Sequence, residues 1–218
     1  MTPAEALRER LEVSIFVDQL FAENCFVIRR RDTTAALVVD PGLQVETVER
    51  ELDREGLTVE TILVTHGHID HVGGVPRLHQ QTRAPIAMHP DDVGILDWRQ
   101  FGRLPFLPPG FRAFDIDLPL AHNLTIAFQD VSLRVLHTPG HTQGSVCFLF
   151  GLDCFAGDTL FQRGIGRTDL PGGDTAKIVF SIRNVLYALP PKTVVYPGHG
   201  ARTTIEEEKM LNPFVPAA

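Results

Sequence analysis

Four side chains able to bind metal ions, His66, His68, Asp70 and His71, sit within six residues of the segment Thr65-His66-Gly67-His68-Ile69-Asp70-His71. They follow directly on the apolar run Thr61-Ile62-Leu63-Val64. Imidazole and carboxylate are the usual protein ligands of zinc and of non-haem iron. Spacing divides the four. His66 and His68 are two apart, so an extended segment turns both to one side, where one cation can take both. Asp70 and His71 fall where the chain is expected to enter a helix, so they aim elsewhere and could serve a second cation. A lone histidine at a strand end is ordinarily a satisfied polar group. Four such groups packed together without a cation would each cost several kcal/mol of desolvation, which disfavours a purely structural cluster.

Three further candidates lie downstream in similar settings. His141 sits in His137-Thr138-Pro139-Gly140-His141-Thr142, Asp158 in Phe155-Ala156-Gly157-Asp158-Thr159, and His199 in Val195-Tyr196-Pro197-Gly198-His199-Gly200. Each follows a short apolar strand and is preceded by glycine, which lets the backbone turn sharply near a cation. Singly, each reads as a turn residue; beside the first cluster they read as ligands. Of the nine histidines, the remaining four, His79, His89, His122 and His137, read as structural or exposed.

Loops at strand ends are where such ligands are held, and the pattern supplies those ends. Strands are expected over Glu12 to Leu20, Asn24 to Arg30, Ala35 to Asp40, Thr58 to Thr65 and Pro85 to His89. Helices are expected over Gln44 to Gly56, with Val45, Val48 and Leu52 on one face, and over Asp70 to Gln81. Strands resume at Leu124 to Phe128, Ser132 to His137, Ser145 to Phe150 and Asp153 to Ala156. A helix over Thr175 to Leu189 turns Ile178, Ile182, Val185, Leu186 and Leu189 inward. A strand at Thr193 to Tyr196 and a helix at Thr204 to Leu211, capped by Thr204, close the pattern. Both halves run strands and then helix. The expected fold class is α+β: one domain over 1–218, an αββα sandwich of two stacked mixed sheets with helices on both outer faces. The irregular stretch at about 91–118 mixes Trp98, Phe101, Phe106, Phe111 and Phe114 with prolines. A long loop of this kind is usually functional, and it reads either as a lid over the metal cleft or as a packed surface loop.

Composition bounds the rest. Hydrophobic residues make up 44% and charged residues 22% of 218, an ordinary soluble globular balance. A core of that size needs no metal to fold, so a cation here serves function. The net charge is −7 and the one basic run is Arg29-Arg30-Arg31, a poor match for nucleic-acid backbones. The three cysteines, Cys25, Cys147 and Cys154, are odd in number, lack zinc-ribbon spacing and sit in apolar runs, so they read as buried reduced thiols. No segment resembles a signal peptide or a membrane span; the expected location is the cytoplasm.

The motif His66-x-His68-x-Asp70-His71, followed in order by His141, Asp158 and His199, resembles that of the metallo-β-lactamase superfamily, across essentially the whole chain. The resemblance implies the αββα sandwich. It also implies two divalent metal ions, foremost zinc with iron or manganese as alternatives: His66, His68 and His141 at one, Asp70, His71 and His199 at the other, and Asp158 bridging them. Gly157-Asp158-Thr159-Leu160-Phe161, Gly166-Arg167-Thr168-Asp169-Leu170, Pro197-Gly198-His199-Gly200 and Asn212-Pro213-Phe214 are similar to the short glyoxalase II-like thioesterases. β-Lactamases of the superfamily lack a bridging aspartate at the position of Asp158, which counts against antibiotic hydrolysis. The helical C-terminal domain with which full-length glyoxalase II binds glutathione has no counterpart before Ala218, so the Asp91 to Leu118 segment is expected to shape the substrate pocket.

What the resemblance implies for function is hydrolysis of a small-molecule acyl-thioester of the S-lactoylglutathione kind. Two cations about 3.5–4 Å apart hold a hydroxide at neutral pH, and Asp70 orients it or accepts its proton. A second reading is a persulfide dioxygenase, which uses one iron held by residues matching His66, His141 and Asp158. A third is a non-catalytic metal-binding module. Phe161, Arg167 and Asp169 are candidates for contact with substrate or for support of the site. For Arg167 the favoured role is an internal pair with Asp169 that braces its loop. Arg99, Arg103 and Arg112 are expected to be solvated.

Overall fold

The computed structural model describes residues 10–96 and 113–216, which fall into two compact units, Arg10–Leu120 and the chain from Ala121 on. Each unit has its own six-stranded mixed sheet and its own helices.

The first unit opens with β1 (Leu11–Val17), β2 (Asn24–Arg30) and β3 (Ala35–Val39). Helix α1 (Val45–Glu55) leads into β4 (Thr58–Leu63), and helices α2 (Ile69–Val72) and α3 (Val75–Thr82) lead into β5 (Ile86–Met88). A 3-10 turn at Pro90–Leu96 follows, and β6 (Leu118–Pro119) ends the unit. The sheet runs β1 to β6 in order. β1, β2 and β3 are antiparallel neighbours, and β3 through β6 are parallel. The strand β3, Ala-Ala-Leu-Val-Val, is buried on both faces, as parallel strands usually are. Val27, Val38, Ile62 and Ile86 pack with Val45, Val48 and Leu52 of α1 and Leu78 of α3. At the end of α1, Gly56 takes the left-handed conformation (φ 62°) expected of a C-terminal stop. Arg77 of α3 grips Glu49 of α1 with two hydrogen bonds of 2.8 and 2.7 Å.

The helix expected from Asp70 to Gln81 is two helices. Gly73 and Gly74 pack too closely against Leu43, Val45 and the Pro41–Gly42 backbone to carry side chains. Pro76, at the start of α3, has no N–H to continue a helical ladder from α2. The first strand stops at Val17, short of the expected Leu20, because the Asp18 carboxylate folds the chain back by accepting the N–H groups of Leu20 and Phe21, both at 2.7 Å. Of the irregular stretch, Phe114 and Ile116 pack against this core. The expectations for Trp98, Arg99, Phe101, Arg103, Phe106, Phe111 and Arg112 lie outside the described residues.

The second unit contains β7 (Thr125–Phe128), β8 (Val131–His137), β9 (Val146–Phe150), β10 (Asp153–Gly157) and the hairpin β11 (Leu160–Phe161) and β12 (Gly164–Ile165). Helix α4 (Thr175–Ser181) continues into a π turn at Ile182–Leu186, followed by β13 (Val194–Pro197), β14 (Thr203–Thr204) and α5 (Ile205–Leu211). The main sheet runs β14-β13-β10-β9-β8-β7. Ile178, Ile182, Leu186 and Leu189 pack inward against Leu136, Cys147, Leu149, Cys154 and Val195, and Val185 lies half-buried against them. The expected single helix over 175–189 thus loosens into a wider turn, with the Tyr187 N–H reaching back to the Ile182 carbonyl at 2.8 Å. Helix α5 begins as expected, with Thr204 Oγ1 accepting the Glu207 N–H at 3.2 Å. The two-residue strands β6, β11, β12 and β14 are too short to leave a period-2 pattern, so the sequence did not reveal them.

All three cysteines are buried and free. Burial, with the charges of Glu23 and Asp40 nearby, holds the Cys25 thiol far above its ordinary range. No helix among the described residues is long and apolar enough to cross a membrane.

Candidate metal centre

Each expected ligand lies just past the carboxyl end of a strand. In the first unit, β4 ends at Leu63 and the chain runs extended through His68 before α2 begins. His66 Nε2 and His68 Nδ1 stand 3.1 Å apart with their rings edge-to-face. Two nitrogens on one zinc, each at about 2.0–2.1 Å, stand roughly 3–3.5 Å from each other, so this pair is spaced for one cation. Asp70 and His71 ride on the first turn of α2, with Asp70 Oδ2 3.7 Å from His71 Nε2. The His71 ring lies 4.1 Å from that of His66.

In the second unit, β10 and β13 are parallel neighbours, with Gly157 opposite Pro197. Asp158 and His199 therefore leave the sheet side by side. β8 is antiparallel to β9, and β9 to β10, so β8 points the same way and delivers His141 to the same edge. Gly157 (φ 48°) and Gly140 (φ 139°) adopt conformations that side chains rarely take. Asp158 Oδ2 is 3.4 Å from His141 Nε2 and 3.7 Å from His199 Nε2. One carboxylate oxygen thus faces two imidazoles. Behind it, Thr138 Oγ1 and Thr159 Oγ1 hydrogen-bond at 3.0 Å and tie the His141 loop to the Asp158 loop. The Phe161 ring stands edge-to-face to His199, 6.2 Å between centroids.

The outer nitrogens show that these histidines suit a metal. Asp40 Oδ2 lies 3.0 Å from His71 Nδ1. Thr65 Oγ1 donates to Asp40 Oδ2 at 2.6 Å, which spends its one proton, so His66 Nδ1, 3.1 Å away, is the donor to Thr65 Oγ1. His141 Nδ1 faces the Arg167 carbonyl oxygen at 2.8 Å. With Nδ1 donating in each ring, the Nε2 of His66, His71 and His141 carries the lone pair a cation needs. Fixing tautomer and ring orientation in this way is the usual service of residues behind metal ligands.

Asp40, which the sequence pattern marks only as a strand end, stands behind two of these histidines. It is 1% exposed, sits at the end of β3 beside the end of β4, and accepts from the Thr65 N–H at 2.7 Å as well. The signal is only partial: like Asp158, Asp40 is an acid at the end of an apolar strand, but it is followed by Pro41-Gly42 rather than preceded by glycine. Asp92 was missed too. It is buried and accepts the Gly67 N–H at 2.9 Å, anchoring the extended backbone between His66 and His68. The four other histidines are hydrogen-bonded or buried. His79 Nδ1 meets the Ala84 carbonyl oxygen, His122 accepts the His137 N–H, His137 Nε2 meets the Gln143 carbonyl oxygen, and His89 is buried.

Arg167 and Asp169 form the expected internal pair, with two bonds of 2.7 Å on an exposed surface. The guanidinium holds the Asp169 carboxyl down at about 2. Arg167 serves His141 through its main-chain oxygen, which any side chain leaves in place. Arg167→Ala is therefore expected to keep metal content and to change kcat/KM by less than about threefold, as is usual for exposed ion pairs. A loss beyond about tenfold in steady-state assays would show that the guanidinium contacts the substrate.

Comparison with known proteins bears on the family and the fold. Residues 18–199 match the family model of the metallo-beta-lactamase superfamily. Hydroxyacylglutathione hydrolase GloC of Haemophilus influenzae is 33% identical over 213 residues, spanning 94% of this chain and 98% of that protein. The crystal structure of BLEG-1 B3 metallo-beta-lactamase superposes with a TM-score of 0.83 at 34% identity, covering 94% of this chain and 99% of that one. TTHA1623 in a di-iron-bound form gives 0.81 at 33% identity, with 93% and 100% covered. ETHE1 from Myxococcus xanthus gives 0.80 at 29% identity, with 94% and 84% covered. The fold is thus the metallo-β-lactamase fold expected from the ligand motif, and the chain belongs to the metallo-β-lactamase superfamily.

Proposed function

We propose that the two ligand clusters are halves of one binuclear metal centre that hydrolyses acyl-thioesters of the S-lactoylglutathione kind. His66, His68 and His141 hold one cation, Asp70, His71 and His199 the other, and Asp158 lies between them. The observation that carries this reading is Asp158 Oδ2, within 3.4 and 3.7 Å of two imidazole nitrogens that belong to different metals in this assignment. The name of the GloC relative supports the substrate class, and the di-iron form of TTHA1623 supports the metal number.

When bound, two such cations acidify a water and polarise a carbonyl. The chain's own residues do the rest. In this reading Asp70, 17% exposed at the start of α2, takes the proton of the attacking water. Asp40, Thr65 and the Arg167 carbonyl keep three imidazoles in the ligating tautomer. The leaving group is a thiolate whose conjugate acid has a pKa near 8.5, so departure requires no acid from the protein.

A second reading, persulfide oxygenation at one iron held by His66, His141 and Asp158, is favoured by the two-histidine, one-carboxylate character of that set, with Asp158 Oδ2 3.4 Å from His141 Nε2. One experiment separates them. Protein loaded with zinc, iron or manganese is assayed on S-lactoylglutathione, other acyl-thioesters, a lactam and glutathione persulfide. Thioester turnover with two metals per chain is the expected result. Oxygen uptake with persulfide at one iron per chain would support the second reading. A filled site inert to every substrate would mean a non-catalytic metal-binding module.

A further inference from the structure

The hairpin β11–β12 links every ligand of the second unit, and its tip is held from behind by the C-terminal helix. Asp158 lies two residues before the hairpin, Phe161 on β11 stands edge-to-face to His199, and two residues past β12 the Arg167 carbonyl orients His141. At Gly166 a Cβ would run into the Asp158 carbonyl oxygen and crowd the His141 ring. The segment from 158 to 167 is therefore wedged among three ligands, and a shift at its tip would move them all.

The tip is the turn Gln162-Arg163, where Arg163 takes a left-handed φ of 57°. Glu208 of α5, 1% exposed, accepts the Arg163 N–H at 2.9 Å through Oε2. Asn212 donates through Nδ2 to the same oxygen at 2.8 Å and to the Gly164 carbonyl at 3.0 Å. Thr203 donates to Glu208 Oε1 at 2.7 Å. A buried carboxylate with three donors is a costly device for fixing one surface turn, unless that turn must stay registered to something.

We infer that Glu208, with Asn212, is a positioning residue of the metal centre: it fixes the hairpin that sets Asp158, His141 and His199. This inference rests on the metal assignment proposed above but not on the reaction. Glu208→Gln keeps one carbonyl oxygen for Arg163 and Asn212, and its amide can donate to Thr203 Oγ1, whose hydroxyl turns to Glu207 Oε2 at 3.2 Å. Glu208→Ala removes both functions.

The test compares E208A, E208Q and N212A with the parent protein. Hydrogen exchange over residues 160–167 is followed in the metal-free state. Cobalt(II) absorption and metal affinity by chelator competition are measured on the loaded state. The expected result is faster exchange, an altered cobalt spectrum and an affinity lower by about 10- to 100-fold in E208A, all restored in E208Q. If E208A does not fold, N212A is read by the same measures. Parent-like spectrum and affinity in the alanine variants, whatever their thermal stability, would overturn the inference. A parent protein that fills with metal but cleaves no thioester overturns the reaction and leaves this inference standing.

Discussion

Asp158→Ala is expected to reduce bound metal from two ions per chain to one or none, and to lower kcat/KM by about four orders of magnitude, roughly 5 kcal/mol of transition-state stabilisation. The size follows from position. Residues behind metal ligands usually cost 10- to 100-fold when removed, whereas Asp158 offers one oxygen to two metals in the proposed centre. Its side chain is 11% exposed and faces His141 and His199. No packing is lost beyond a small carboxylate, so the metal-free variant should unfold within about 1 kcal/mol of the parent. Inductively coupled plasma analysis, steady-state kinetics and urea unfolding check the three parts. Two tightly bound metals with activity within tenfold of the parent would remove Asp158 from the centre.

Asp40→Asn is the second large effect, and its logic is one of donors and acceptors. Asp40 accepts from the Thr65 N–H on one oxygen, and from the Thr65 hydroxyl and His71 Nδ1 on the other. An amide supplies only one oxygen. Whichever way it is placed, its NH2 group faces a buried donor, at a cost of about 1–3 kcal/mol. If it faces His71, the imidazole must move its proton to Nε2, the nitrogen assigned to the metal. Asparagine tolerates the left-handed φ of 50° found at this position, so backbone strain does not confuse the result. The expected outcome is a metal affinity lower by about 10- to 100-fold, with metal-free stability down by the amount above. Chelator competition and chemical denaturation measure the two. A variant with parent affinity would separate Asp40 from the His71 tautomer.

Much of this was legible in the sequence because the ligands sit where strand patterns stop. β2, β3, β4 and β9 are rich in Val, Ile, Phe and Leu, and the ends of β4 and of the short Cys-Phe-Ala run of β10 mark the loops carrying His66, His68 and Asp158. His141 and His199 are readable through the Pro-Gly pairs that follow β8 and straddle the end of β13. What stayed hidden depended on contacts distant in sequence. Asp40 looks like any turn aspartate until β3 pairs with β4 and brings it beside Thr65. Glu208 looks like one of three first-turn acids of α5, and only the register of the β11–β12 hairpin shows that it faces inward. The break between α2 and α3 was visible in Gly73-Gly74-Val75-Pro76, but the apolar periodicity through Val72, Val75 and Leu78 masked it.

The central claim is that two ligand clusters far apart in sequence share one pair of cations. X-ray absorption at the zinc edge, on protein loaded with two equivalents, tests it most directly. Nitrogen and oxygen scatterers together with a metal–metal vector at about 3.5–4 Å are the expected result. Two bound zinc ions with no metal neighbour at that distance would contradict it.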